Sequence, residues 1–135
     1  MEAKTGLDMN RICLMALGLA LAAGSAAAQD KKPFTAAEMQ VLLGKGLTVS
    51  SSDVEGGKVF TARITLAADG RLSGALTPAG DKAIPVSGVW KLKGAQVCRT
   101  LEPIQAEEIC ETWLKSGAKE AIIVVGGKEA SINRW

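Results

Sequence analysis

Residues Ser87–Leu114 read S-G-V-W-K-L-K-G-A-Q-V-C-R-T-L, then E-P-I-Q-A-E-E, then I-C-E-T-W-L. The first block alternates with the period of two that marks a β-strand. Gly88, Trp90 and Leu92 share one face, Lys93-Gly94 turns the chain, and Ala95–Leu101 returns with Val97, Arg99 and Leu101 opposite Cys98. The polar link Glu102–Glu108 follows, and a third strand begins at Ile109. If Cys98 and Cys110 are bonded, their strands lie side by side with the two residues nearly opposite, which fixes the register. Closing a loop of about 13 residues would stabilise the fold by ~3 kcal/mol in the chain-entropy description. The stretch predicts three antiparallel strands with a disulfide clasp at the centre of a small β-domain.

The pairing rests on export, and the start of the chain supplies the argument. Lys4 and Arg11 make a basic lead, diluted by Glu2 and Asp8; Ile12–Ala23 is apolar; small residues at Gly24–Ala28 precede the polar Gln29-Asp30. That is the pattern of a secretory signal peptide over residues 1–28, cleaved between Ala28 and Gln29. Met9, followed by Asn10-Arg11, is as good a start as Met1. The apolar run is far shorter than the ~20 residues of a spanning helix, and no segment after Ala28 could span a bilayer. Cys13 lies at the front of the apolar run rather than at the cleavage point, so it is no lipidation site. Residues 29–135 are then one domain in an oxidising compartment, periplasmic or secreted, where an even pair of cysteines is expected to be a disulfide. The spacing is not that of a thioredoxin-like C-x-x-C, and without histidine a two-cysteine zinc site would need carboxylate partners.

Around the central stretch the pattern is mainly β. Thr35-Ala36-Ala37-Glu38 reads as a capping box for a single helix, Ala36–Leu43, with Gly44 and Gly46 closing it in left-handed conformations. Leu47–Ser50 is a first strand. Lys58–Leu66 alternates cleanly, Asp69-Gly70 predicts a two-residue hairpin, and Arg71–Thr77 returns with Leu72, Gly74 and Leu76 inward. Pro78–Pro85 is expected as an exposed loop. Glu120–Val125 has no polar face and fits a strand covered on both sides, with the helix as the cover. Gly126-Gly127 turns the chain into a last strand, Glu129–Trp135. The sum is about eight strands in an antiparallel up-and-down sheet or small barrel, with one short N-terminal helix.

The search for chemistry excludes more than it finds. The chain has no histidine and no tyrosine, which removes the commonest general base and any Ser-His-Asp triad. Ser50-Ser51-Ser52-Asp53 reads as a polar strand end. Glu107, Glu108 and Glu111 beside Cys110 read as a solvated acidic surface rather than a catalytic pair or a calcium site. No glycine pattern matches a phosphate or dinucleotide loop. A formal net charge of +2 gives no electrostatic reason to expect nucleic acid or an anionic membrane. Trp135 ends the chain as in outer-membrane barrels, but Asn133, Ser131 and Glu129 behind it make no lipid-facing stripe. Trp90 and Trp113 either fill the core or, if the sheet closes into a barrel, line a ligand cavity.

Together, T-A-A-E-M-Q-V-L-L-G at Thr35–Gly44, A-D-G-R-L-S-G at Ala68–Gly74 and G-V-W-K-L-K-G-A-Q-V-C at Gly88–Cys98 resemble small exported proteobacterial domains of unknown function. The resemblance implies a bacterial envelope setting and no activity. The expectation is a non-enzymatic binding domain, without cofactor or metal, for a small apolar ligand near Trp90 and Trp113. The alternative is a protein-binding module, such as an inhibitor of an envelope hydrolase, acting through Pro78–Pro85 or Glu102–Glu108. An enzyme working with carboxylates alone is a third, weaker option.

Overall fold

Thr35 caps the helix in the way its sequence predicts. Its hydroxyl accepts from the Glu38 amide at 3.1 Å, and the Glu38 carboxylate accepts from the Thr35 amide at 2.9 Å. Two of the amides that a helix start leaves unpaired are satisfied reciprocally, and α1 runs over Ala36–Leu43. Its C-terminus differs from expectation. Gly44 stays right-handed, at φ −61°, and Gly46 alone takes the left-handed conformation, at φ 86°. A single left-handed residue suffices to turn the chain into the sheet. The computed structural model describes residues 31–135, and Pro33–Trp135 form one unit; the signal peptide expected over residues 1–28 lies outside the described residues.

Eight antiparallel strands follow: β1 (Leu47–Asp53), β2 (Phe60–Leu66), β3 (Arg71–Pro78), β4 (Ile84–Lys93), β5 (Gln96–Leu101), β6 (Gln105–Gly117), β7 (Glu120–Val125) and β8 (Lys128–Arg134). Each pairs with its neighbours in chain order, and β1 also pairs with β8, so the sheet closes into a barrel. The closing ladder runs through Ser50–Asp53, opposite Arg134–Ser131. That segment, expected as a polar strand end, is the seam of the barrel. Backbone pairing is indifferent to the side chains here, and closure satisfies amides and carbonyls that an open edge would leave exposed.

Three connections differ from expectation. The Asp69-Gly70 hairpin is not a two-residue turn: the Gly70 amide donates to the Ala67 carbonyl at 3.0 Å and the Ala67 amide to the Arg71 carbonyl at 2.8 Å. Ala68–Gly70 thus form a three-residue loop whose last residue, Gly70, takes the left-handed conformation at φ 93°, the usual geometry for that length. The loop expected over Pro78–Pro85 contracts to the exposed residues 79–83, because Pro78 ends β3 and Pro85 pairs with Ala75 inside β4. The link expected over Glu102–Glu108 contracts to residues 102–104, because Gln105–Glu108 extend β6. Ala106, Glu107 and Glu108 there are exposed, on a strand that runs on past the point where its polar residues suggest a loop.

Eight strands enclose an interior just wide enough to be filled by side chains or to hold one small ligand. Val49, Leu66, Leu72, Val86, Val97, Leu101, Trp113, Ala121 and Ile123 fill it, joined by Met39 and Leu43 of α1. The Phe34 amide donates to the Trp113 carbonyl of β6 at 3.0 Å, so α1 runs between β6 and the start of β1. It closes one end of the barrel, where the Trp135 ring also packs against Phe34 and Trp113 at 6.4 and 6.0 Å between centroids. The helix was expected to cover the apolar strand β7; its buried residues instead join the interior cluster that includes Ala121 and Ile123. At β3, a Cβ on Gly74 would lie 2.0 Å from the Arg63 carbonyl oxygen. Only glycine lets β2 and β3 approach so closely as the barrel wall bends. Among the described residues no helix is long and apolar enough to cross a membrane.

Candidate functional site: a two-walled cavity inside the barrel

The disulfide predicted from the sequence is present, and its position sets the interior. Cys98 and Cys110 face each other across β5 and β6 and are bonded, with their Cα atoms 3.9 Å apart. Because side chains alternate across a strand, an outward pair at 98 and 110 turns Arg99 and Glu111 inward. On the outer side the Lys93 ammonium donates to Glu108 at 2.8 Å, with Lys91 3.6 Å away. The hydrogen bond from Lys93 holds the Glu108 carboxyl below the usual carboxylate range, against an upward push from desolvation. The Cys98, Cys110 and Glu108 ligand atoms cluster within 4.8 Å. Both sulfurs are consumed by the disulfide, so the cluster offers no thiolate to a metal.

Inside, Arg99 Nε donates to Glu111 Oε2 at 2.7 Å, and the Trp113 indole Nε1 donates to Glu111 Oε1 at 3.2 Å. Both oxygens of a buried carboxylate are therefore engaged, the condition under which a charge is tolerated away from water. Glu111 was expected on a solvated acidic surface with Glu107 and Glu108; the structure corrects this, since Glu111 is 6% exposed. It shares the inward face of β6 with Trp113. Arg99 Nη1 is buried and has no acceptor among the described residues, while the Arg99 side chain as a whole keeps 20% exposure.

These side chains border a cavity of about 140 Å³. One wall is apolar and comes from β2 and β3: Phe60, Ala62, Ile64, Leu66, Leu72 and Leu76. The facing wall comes from β1, β5, β6 and β8. It carries Ser51, Arg99, Glu111, Ser131 and Asn133 among Val49, Leu101 and Trp113. The helix closes one end, and residues 54–59, 79–83, 102–104 and 126–127 connect the strands at the other. Val54, Val59 and Ile104 on these connections are 42%, 64% and 47% exposed. Asp53 organises the first of them. Its carboxylate accepts from the amides of Glu55, Gly57, Val59 and Phe60 at 2.9, 3.3, 2.6 and 3.2 Å. Desolvation pushes its pKa up, but the four amides outweigh it and hold the group at about 2.

Of the two tryptophans singled out from the sequence, Trp113 borders the cavity and is 1% exposed. Trp90 does not border it. Its Nε1 donates to the Ala67 carbonyl at 2.8 Å and its amide to the Gly70 carbonyl at 2.9 Å, which ties β4 to the β2–β3 hairpin. The polar wall was missed, although one signal for it was present. Once Cys110 is assigned outward, strict alternation in Ile109–Trp113 leaves Glu111 facing in. No family model, no curated protein and no solved structure matches the chain.

Proposed function

We propose that this chain is a non-enzymatic binding domain that holds one small, compact, largely apolar ligand inside its barrel. The cavity bordered by Trp113 carries this reading: it has an apolar wall, a polar wall that can orient a ligand, and one end left free by the helix. Its volume of about 140 Å³ is close to the engineered ~150 Å³ cavity that takes up benzene, and below the ~300–1,000 Å³ of drug-sized sites. A lipid chain exceeds it. Export completes the reading. The leader pattern of residues 1–28 and the Cys98–Cys110 disulfide, compatible with an oxidising compartment, support a periplasmic or secreted bacterial protein.

The test is thermal melting and tryptophan emission with a panel of single-ring compounds. A raised melting temperature together with altered emission is expected, and Ala62→Leu, which fills the space, should abolish both. No response from any compound would refute interior binding. A second reading, docking of an envelope protein on the open end, is favoured by the exposed Val54, Val59 and Ile104. Crosslinking in envelope extract would capture a partner there, and Ile104→Lys should prevent it. N-terminal sequencing of the exported protein should begin at Gln29; a retained leader would remove the compartment assignment.

A further inference from the structure

The polar wall of the cavity is rich in donors and already neutral. Arginine has five N–H donors, and Arg99 gives its Nε donor to Glu111. Nη1 has no acceptor among the described residues. Glu111 already accepts at both oxygens, one from Arg99 and the other from Trp113. The wall therefore has hydrogen-bond donors to spare and no spare positive charge. A carboxylate ligand would bring a second anion into a barrel interior whose cation is already cancelled, at the desolvation cost of any unpaired buried charge. A neutral carbonyl oxygen requires only donors.

We propose, resting on the interior-binding reading above, that the barrel selects compact neutral carbonyl compounds. The apolar body lies against Phe60, Ile64 and Leu72, and the carbonyl oxygen accepts from the part of the Arg99 guanidinium that keeps its exposure at the cavity wall. Glu111 acts as a positioning residue that holds the guanidinium at the wall and removes its appetite for anions.

The experiment compares three probes of similar size on the purified protein with its disulfide intact: benzamide, benzoate and toluene, by calorimetry and tryptophan emission. Benzamide is expected to bind about tenfold tighter than toluene or benzoate, the factor that about 1.4 kcal/mol represents. In the charge-neutral double variant Arg99→Leu/Glu111→Leu, toluene should still bind and the benzamide preference should vanish. Equal affinity for benzamide and toluene, tightest binding of benzoate, or a preference that survives the double variant would each overturn the proposal. Toluene binding without preference leaves interior binding standing, whereas no binding by any of the three overturns both. The comparison on the unaltered protein decides the matter even if the double variant does not fold.

Discussion

Replacing Glu111 by glutamine changes a carboxylate oxygen to an amide nitrogen and little else in volume. It removes the charge that Arg99 faces at 2.7 Å inside the barrel. Breaking a buried pair from one side costs about 3–5 kcal/mol, because the remaining ion keeps its desolvation penalty without its partner. Arg99 retains 20% of its side-chain exposure, so part of the penalty is relieved by water, and the lower end of that range, about 3 kcal/mol, is expected. With a urea dependence of about 1.5 kcal/mol per molar for a domain of this size, the midpoint should fall by about 2 M. The assay is equilibrium urea unfolding followed by tryptophan emission, with the slope checked for constancy. Arg99→Leu/Glu111→Leu removes both ions together and should recover most of the loss, since an apolar pair of similar volume is often no worse than a buried ion pair. A Glu111→Gln variant within about 0.5 kcal/mol of the parent, the range of ordinary surface changes, would refute the placement of this pair in the barrel interior.

Three further perturbations address other parts of the structure. Replacing Cys98 and Cys110 together by alanine should cost about 3 kcal/mol by the loop-entropy estimate, read as a lower urea midpoint, and an unchanged midpoint would show that the clasp contributes nothing. Asp53 has its pKa lowered from 3.8 to about 2, so its contribution is complete above about pH 4 and is lost as pH falls toward 2. Asp53→Asn should therefore melt lower at neutral pH and lose part of the parent's acid sensitivity in that window; parallel acid profiles for the two proteins would contradict the four-amide arrangement. Gly74→Ala forces a Cβ to within 2.0 Å of the Arg63 carbonyl and should destabilise by about 1–3 kcal/mol, as overpacking does, with a neutral result excluding so close an approach of β2 and β3.

The parts of this molecule that could be read from its sequence are those where a local chemical requirement and a side-chain pattern agree. Thr35 and Glu38 satisfy each other's amides within three residues, and α1 has the predicted bounds, Ala36–Leu43. Cys98 and Cys110 brought a long-range constraint into view because the bond between them needs facing positions, and they are a registered pair. The seam was not legible: Ser50–Asp53 carries no apolar alternation, and its pairing with Ser131–Arg134 is made by backbone groups common to every residue. The polar wall was obscured by composition. Glu111 follows Glu107 and Glu108 in a run that reads as surface, while its cation lies on another strand, twelve residues earlier. The pair forms across a diagonal of the β5–β6 ladder, since Arg99 stands opposite Ile109 and Glu111 opposite Val97. Only three-dimensional register reveals it.

The pairing of the first strand with the last also has a kinetic consequence. Seven of the eight interstrand ladders join neighbours in the chain and can form as hairpins. The eighth must bring Ser50–Asp53 to Ser131–Arg134 across nearly the whole domain, a loop closure whose entropy is lost before any contact compensates it. During synthesis the sheet has two free edges until β8 emerges, and β1 waits longest for its second neighbour. A chain lacking Ser131–Arg134 would keep both edges open, and unpaired strand edges are templates for pairing with other chains.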